Sequence, residues 1–311
     1  MGDAAIAITG LTSAAPAVPV QADSDEHLLR LWLFGRSPNT RDAYERDAYE
    51  LLGFIGTGLQ YLRLSDLHAF SHHLVARGLA GASVSRKLSA AKSLLSFGHR
   101  LGYITLNPGA ALPLPKLRDQ LSERILDEGP VHRMLSMADA SAPLRDRVLL
   151  RLCYATGGRV SEIISLRWRD VIARGDKQGQ ITMFGKGGKT RSVLLSAGTY
   201  SLLDHHRITQ TAAGLGRPHD PVFTASRSTT AQVSPLSRQH AWRVVKAIAV
   251  RAGLPSAVSP HWLRHAHVSH ALDRGAPAHL VQHTVGHASL VTTSRYAHAR
   301  PDRSSSEFLA V

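Results

Sequence analysis

The chain has 311 residues, enough for two domains of ordinary size, and its apolar content of 43% is that of a globular protein rather than a disordered one. No apolar run is long enough to cross a bilayer, and a single cysteine, Cys153, excludes an internal disulfide framework and suits a reducing cytoplasm. A formal charge of +14 points to a polyanionic partner. That charge is unevenly spread: residues 67–118 contain no Asp or Glu, and Asp273 is the one acid between residues 221 and 301. Soluble surfaces ordinarily intersperse both signs, so each half of the chain is expected to face a phosphate backbone.

Residues 1–23 read as a flexible tail, rich in Ala, Val, Pro and Thr and lacking the basic start of a signal peptide. A helical DNA-binding domain is expected over residues 24–112. In its first clear helix Tyr44, Ala48, Leu51, Leu52 and Ile55 share one face, with Ser37 or Asn39 as N-cap and Pro38 in the first turn. A second helix spans about residues 65–77, with Leu67, Phe70 and Leu74 inward and Gly78 as its stop. The third starts near Ala82. Its apolar stripe is Val84, Leu88, Ala91 and Leu95, and its polar face carries Ser85, Ser89, Lys92 and Ser96. Short hydroxyls beside cations let a helix approach a phosphate backbone closely, so Arg86, Lys87 and Lys92 are candidate DNA contacts.

"NPGAALPLPKL" then interrupts the pattern. Pro108, Pro113 and Pro115 forbid a continuous helix and favour an extended connection. Residues 109–119 can span at most roughly 35 Å, enough to carry the chain past a duplex. The linker proper is set at residues 113–118 and the second domain at 119–311. There, helices are expected at about 129–138 and 143–156, and a third through "RVSEIISLRW" from Arg159 or just before it. "QITMF" and "RSVLL" read as two strands joined by the turn "GKGGK". Helices follow near 197–213, 236–252, 260–274, 277–285 and 289–297, the second of them carrying Arg238 and Arg243 as further candidate DNA contacts. The fold class is therefore mainly α with a small antiparallel β-sheet, in two domains.

Six residues of the second half carry the chemistry: Arg159 in "TGGRVSEI", Lys186 in "GKGGKTRSVLL", His261 and Arg264 in "HWLRH", His287 in "VGHAS" and Tyr296 in "SRYAH". Two guanidiniums can grip the non-bridging oxygens of one phosphate. A phenol can serve as nucleophile, and imidazoles and an ammonium can move protons. His261 and Arg264, three apart, lie on one side of a helix and can reach the same phosphate. The spacings His261/His265 and His283/His287 also suit metal ligands, but no carboxylate accompanies them and two arginines would repel a cation, so no metal or other cofactor is expected.

Taken together these motifs resemble the tyrosine recombinases, the phage-integrase and Xer-like family of DNA strand-exchange enzymes, over the chain from about Asp25 onward. The resemblance implies a two-domain clamp on duplex DNA and a 3′-phosphotyrosyl intermediate formed by Tyr296. It implies that Lys186, at the hairpin tip, protonates the leaving 5′ oxygen, with Lys189 and Arg191 as nearby substitutes. His261 would assist proton transfer at the nucleophile. Arg159, Arg264 and His287 would hold the phosphate. It implies as well a homo- or hetero-tetramer on paired sites, with no membrane partner. Residues 304–311, from the three serines to Phe308, Leu309 and Val311, would dock on a neighbouring subunit. Gly158 departs from the family, whose members often carry a bulkier residue there. Two other functions share these features: a DNA-relaxing or resolving enzyme with the same chemistry, and a non-catalytic DNA-binding protein on the same scaffold.

Overall fold

The structure, a computed structural model, describes residues 21–116, 118, 120–175, 177–185, 188–225 and 234–297. The chain divides into two compact units, Met1–Arg118 and Asp119–Val311. Among the described residues no helix is long and apolar enough to cross a membrane.

The first unit is built on four helices, α1 (Asp25–Leu33), α2 (Pro38–Ile55), α3 (Leu64–Ala76) and α4 (Gly81–Arg100). Ser24 caps α1 by accepting the His27 N–H, and Asp25 and Glu26 place negative charge in its first turn. Ser37 occupies the N-cap of α2, with Pro38 just inside. Leu67, Phe70 and Leu74 of α3 and Val84, Leu88, Ala91 and Leu95 of α4 are all buried, in one core with Leu28, Trp32 and Leu51. Ala22, in the stretch expected to be tail, also lies in this core. The proline-rich segment is not extended from its start. Pro108–Ala111 forms a 3-10 turn, Leu112 is buried, and Lys92 of α4 donates its ammonium to the carbonyls of Ala110 and Leu112. Gly109 permits this approach, since a Cβ there would stand 3.3 Å from the Lys92 Cα.

The second unit holds α5 (Glu128–Ser141), α6 (Leu144–Thr156), α7 (Val160–Ile164), β1 (Val171–Ala173), β2 (Gly179–Phe184) and β3 (Thr190–Leu195). It continues with α8 (Ala197–Ala212), α9 (Arg238–Arg251), α10 (Pro260–Asp273), α11 (Ala278–Val285) and α12 (Leu290–Ala297). The sheet is antiparallel in the order β1-β2-β3, with Val171 opposite Ile181 and Phe184 opposite Thr190. Its inward residues Ile181, Met183 and Val193 join Leu149, Cys153, Ile163, Trp168, Val245 and Leu263 in the main core. A smaller cluster of Ile125, Val268, Val281, Val285 and Tyr296 ties α10, α11 and α12 together.

Two elements differ from the sequence-based expectation. The helix after Arg159 stops at Ile164, because the next residues pair with the loop before Phe223: Leu166 O accepts from Val222, and Arg169 N–H donates to Pro218 O. The strand β1 was not expected, being three residues long and too short to show a period of two.

Candidate active site

The site starts at the end of α6. Gly157 closes that helix with φ of +57°, and a Cβ there would lie 2.7 Å from the His267 ring and 2.8 Å from Val285. Both conformation and space therefore require glycine. Gly158 is held by space alone: a Cβ would meet Met183 Sδ at 2.9 Å. Arg159 follows as the N-cap of α7, its backbone N–H donating to Glu162 Oε2 at 2.9 Å and its Nη1 to Glu162 Oε1 at 2.9 Å.

Glu162 is only 4% exposed and also accepts from Arg191 Nη2 at 2.6 Å. Arg191, reaching in from β3, donates Nε to Thr284 O at 2.7 Å on α11. One carboxylate thus locks Arg159, β3 and the end of α11 in register. Burial pushes its pKa up, but the hydrogen bonds from Arg191 and from the Arg159 backbone outweigh that and hold it below the usual range.

Pro260 opens α10, which presents His261, Arg264 and His265 to the site. Arg264 is 4% exposed; its Nη1 donates to Gly157 O at 2.7 Å and Val285 O at 2.8 Å. It thereby satisfies carbonyls at the ends of both α6 and α11, while its Nε and Nη2 bond to no described residue. Burial, then the charge of Arg159, lowers its pKa to about 10, so it stays cationic at neutral pH.

Tyr296 arrives on α12, 5% exposed, with its hydroxyl 2.6 Å from His265 Nδ1. His287 stacks on the Tyr296 ring at 6.1 Å between centroids and bonds through Nδ1 to the buried Thr293 hydroxyl at 2.9 Å. Burial is the first cause of low pKa at both imidazoles, each about 4. At His265 the charges of His261, Arg264 and Arg124 add to it, and at His287 those of Arg264 and Arg159 come next. Both are neutral at pH 7. Burial raises the Tyr296 phenol above its ordinary value, against the opposing charge of Arg264. An open cleft of about 850 Å³ is lined by Arg159, Lys189, Thr190, Arg191, Gly286 and His287.

Five of the six candidate residues come together: Arg159 and Arg264 both act electrostatically on His261 and His287, and Arg264 on Tyr296, so these five surround one region. Lys186 lies outside the described residues, as do residues 304–311. The hairpin beside Lys186 is closed by the Gly185 N–H donating to Lys189 O at 2.7 Å. Arg191 is buried and paired, so it is no hairpin-tip cation. The phenol oxygen lies within hydrogen-bond reach of His265 Nδ1 rather than of His261, whose ring centroid stands 6.3 Å from that of His265. Sequence reasoning missed His265, although it stands in "HWLRH", because its spacing from His261 suggested metal. It missed Arg191, Glu162 and Thr293 as supports. Among the described residues, no group of three or more His, Cys, Asp or Glu is placed to share a metal ion.

The candidate DNA contacts divide. Asp47 and Glu50 project from α2 onto α4, so Arg86 pairs with Asp47, and Lys87 pairs with Asp47 at 3.0 Å and also with Glu50. Lys92 is turned onto the carbonyls of Ala110 and Leu112. Lys87 and Lys92, expected from the sequence as DNA contacts, are thus engaged within the unit: a stretch without acids in sequence meets acids and carbonyls in space. Arg86 keeps a half-exposed side chain, and Arg238 and Arg243 lie exposed on α9 with no ion pair among the described residues.

Residues 124–303 match the model of the phage integrase family, and residues 26–101 that of the phage integrase N-terminal SAM-like domain. The tyrosine recombinase XerD of Vibrio vulnificus (strain YJ016) is 33% identical over 287 residues, covering 90% of this chain and 91% of the relative. The tyrosine recombinase XerC of Xanthomonas campestris pv. campestris (strain B100) is 33% identical over 84% of this chain and 79% of its own. In fold, the chain is similar to the XerH site-specific recombinase in its post-cleavage complex with a palindromic difH substrate. The TM-score is 0.69, at 22% identity, over 93% of this chain and 85% of that one. With its arginines, imidazoles and tyrosine gathered in one site, the chain belongs to the phage integrase family, among the Xer-like tyrosine recombinases.

Proposed function

We propose that the protein is a site-specific recombinase in which Tyr296 attacks a DNA backbone phosphate. The phenolic oxygen bonds to phosphorus, the bond to the 5′ oxygen breaks, and the 5′ hydroxyl of a partner strand later reverses the exchange. Energy stays in the phosphotyrosyl link, so no nucleotide cofactor is required. Arg159 and Arg264 neutralise the non-bridging oxygens, aided by His287; one preorganised donor of this kind is worth about 10²–10³ in rate. Lys186 protonates the leaving oxygen, and His261, exposed on α10, reaches the same phosphate. Units 24–112 and 119–311 close as a clamp on duplex DNA, and four chains assemble on two sites in the cytoplasm. The observation that carries the reading is the convergence of two arginines and two neutral imidazoles around one buried phenol.

Tyr296→Phe removes only the hydroxyl. DNA binding is expected to survive, while covalent adduct formation on nicked suicide duplexes drops to zero on a denaturing gel. The duplexes are selected by sequencing randomised DNA trapped on the wild-type protein. An adduct in the variant would remove Tyr296 from the role. Relaxation of supercoiled DNA without exchange between paired sites would assign the same chemistry to a relaxing enzyme instead. Tight binding with no wild-type adduct would leave a DNA-binding protein.

A further inference from the structure

We propose that His265, and not His261, takes the Tyr296 proton during strand cleavage and returns it on rejoining; this rests on the recombinase reading above. The phenol has one hydrogen-bond partner among the described residues, His265 Nδ1 at 2.6 Å. A phenol is the stronger donor of the two groups, so the hydroxyl donates and the imidazole carries its own proton on Nε2. The charged and titratable groups facing His265 are His261 and Arg264 on α10, Arg124 ahead of α5, His287 after α11 and Tyr296 on α12. All but the tyrosine disfavour protonation of the ring. In the free protein the proton therefore remains on Tyr296, and the nucleophile is idle.

A phosphodiester seated between Arg159 and Arg264 changes this balance. Its negative charge offsets the guanidiniums that hold His265 unprotonated, so the imidazole gains proton affinity when substrate is present. Attack then proceeds with every atom accounted for. The tyrosine O–H bond breaks, its proton passes to Nδ1, the O–P bond forms, and the departing 5′ oxygen takes a proton from the general acid. Rejoining runs the same steps backwards. His261 touches neither the phenol nor any other described hydrogen-bond partner, which leaves its ring for the phosphate.

The test uses the full chain and the nicked duplexes selected by the wild-type protein. Glutamine can accept the phenol's hydrogen bond but cannot take its proton. His265→Gln should bind DNA as the wild type does and form adduct about 10²–10⁴-fold more slowly near neutral pH. Its rate should rise about tenfold per pH unit toward the tyrosine range near 10, because solvent must now ionise the phenol, while the wild type levels off. His261→Gln should keep the wild-type profile shape. A His265→Gln rate within about threefold of wild type, or a deficit equal at every pH, overturns the proposal. If the variant does not fold, ¹⁵N spectra of wild-type histidine decide. His265 should be neutral with Nε2–H in free protein and doubly protonated in the adduct, and a neutral ring in the adduct overturns the assignment. Absence of any wild-type adduct would instead defeat the recombinase reading itself.

Discussion

Residues 67–118 contain no acid and residues 221–301 only Asp273, yet the cations of the two units meet different fates. In the first unit, α2 lays Asp47 and Glu50 against α4, and Arg77, Arg86 and Lys87 are drawn into ion pairs. In the second, the carboxylate that enters the cluster, Glu162, is buried and grips Arg159 and Arg191, while Arg264 is held by backbone carbonyls that leave its charge uncancelled. A row of cations becomes an anion-binding surface only after its spatial neighbours have been subtracted. Holding a guanidinium by carbonyls rather than by a carboxylate preserves its charge for substrate.

The comparison breaks most directly at Arg264. Arg264→Ala should lower adduct formation by about 10²–10³ and, by orphaning the Gly157 and Val285 carbonyls, cost about 1–3 kcal/mol for each in denaturant unfolding. Arg86→Ala should leave single-turnover cleavage within about threefold, since its charge is already engaged by Asp47. Equal losses in the two variants would erase the distinction.

A second test separates stability from binding. Lys87→Met removes one of two partners of Asp47, a carboxylate 3% exposed, and should destabilise the first unit by up to about 3–5 kcal/mol with little change in the salt dependence of DNA binding. Arg238→Ala and Arg243→Ala should do the reverse, each lowering the slope of log K against log salt by about 1 and leaving stability within about 0.5 kcal/mol. A slope change in Lys87→Met like that in Arg238→Ala would return α4 to the DNA-facing surface.

Acid offers the gentlest contrast. His265, His267 and His287 are held at about 4, below the ordinary histidine value near 6.5, so the unfolded chain binds more protons between those limits. The second unit therefore loses stability as pH falls from about 6.5 toward 4. In the first unit, Asp23, fully exposed, is lowered by hydrogen bonds from Ser24 and His27, and Glu50 is the partly buried lowered carboxylate: burial raises it, and the bonds from Lys87 and Arg77 more than compensate. Its contribution is lost only below about 4.5. Limited proteolysis of the full chain on stepping from pH 7 to pH 5 should open the second unit first. Simultaneous opening would mean that the site histidines do not govern acid sensitivity.

The helices were legible because their apolar periods are long and clean: Leu67, Phe70 and Leu74, or Val84, Leu88, Ala91 and Leu95, point inward as their spacing requires. The length of α7 and the seating of residues 108–112 on α4 were not, since both depend on hydrogen bonds to segments distant in sequence. In the site, residue types and order pointed to a phosphodiester chemistry. Which imidazole meets the phenol was hidden, because His261 and His265 share a helix face and only the approach of α12 selects between them.

Gly158 and Met183 carry a consequence for how this chain can change over generations. The volume that a side chain at position 158 would occupy is filled by the Met183 thioether, from the sheet. The two positions therefore share one allotment of space, and a larger residue at 158 is viable where 183 yields or shortens. Among relatives that carry bulk beside the first arginine, the residue at the equivalent of 183 should shrink in step. The pair would then register in lineages as a correlated exchange between a loop and a strand.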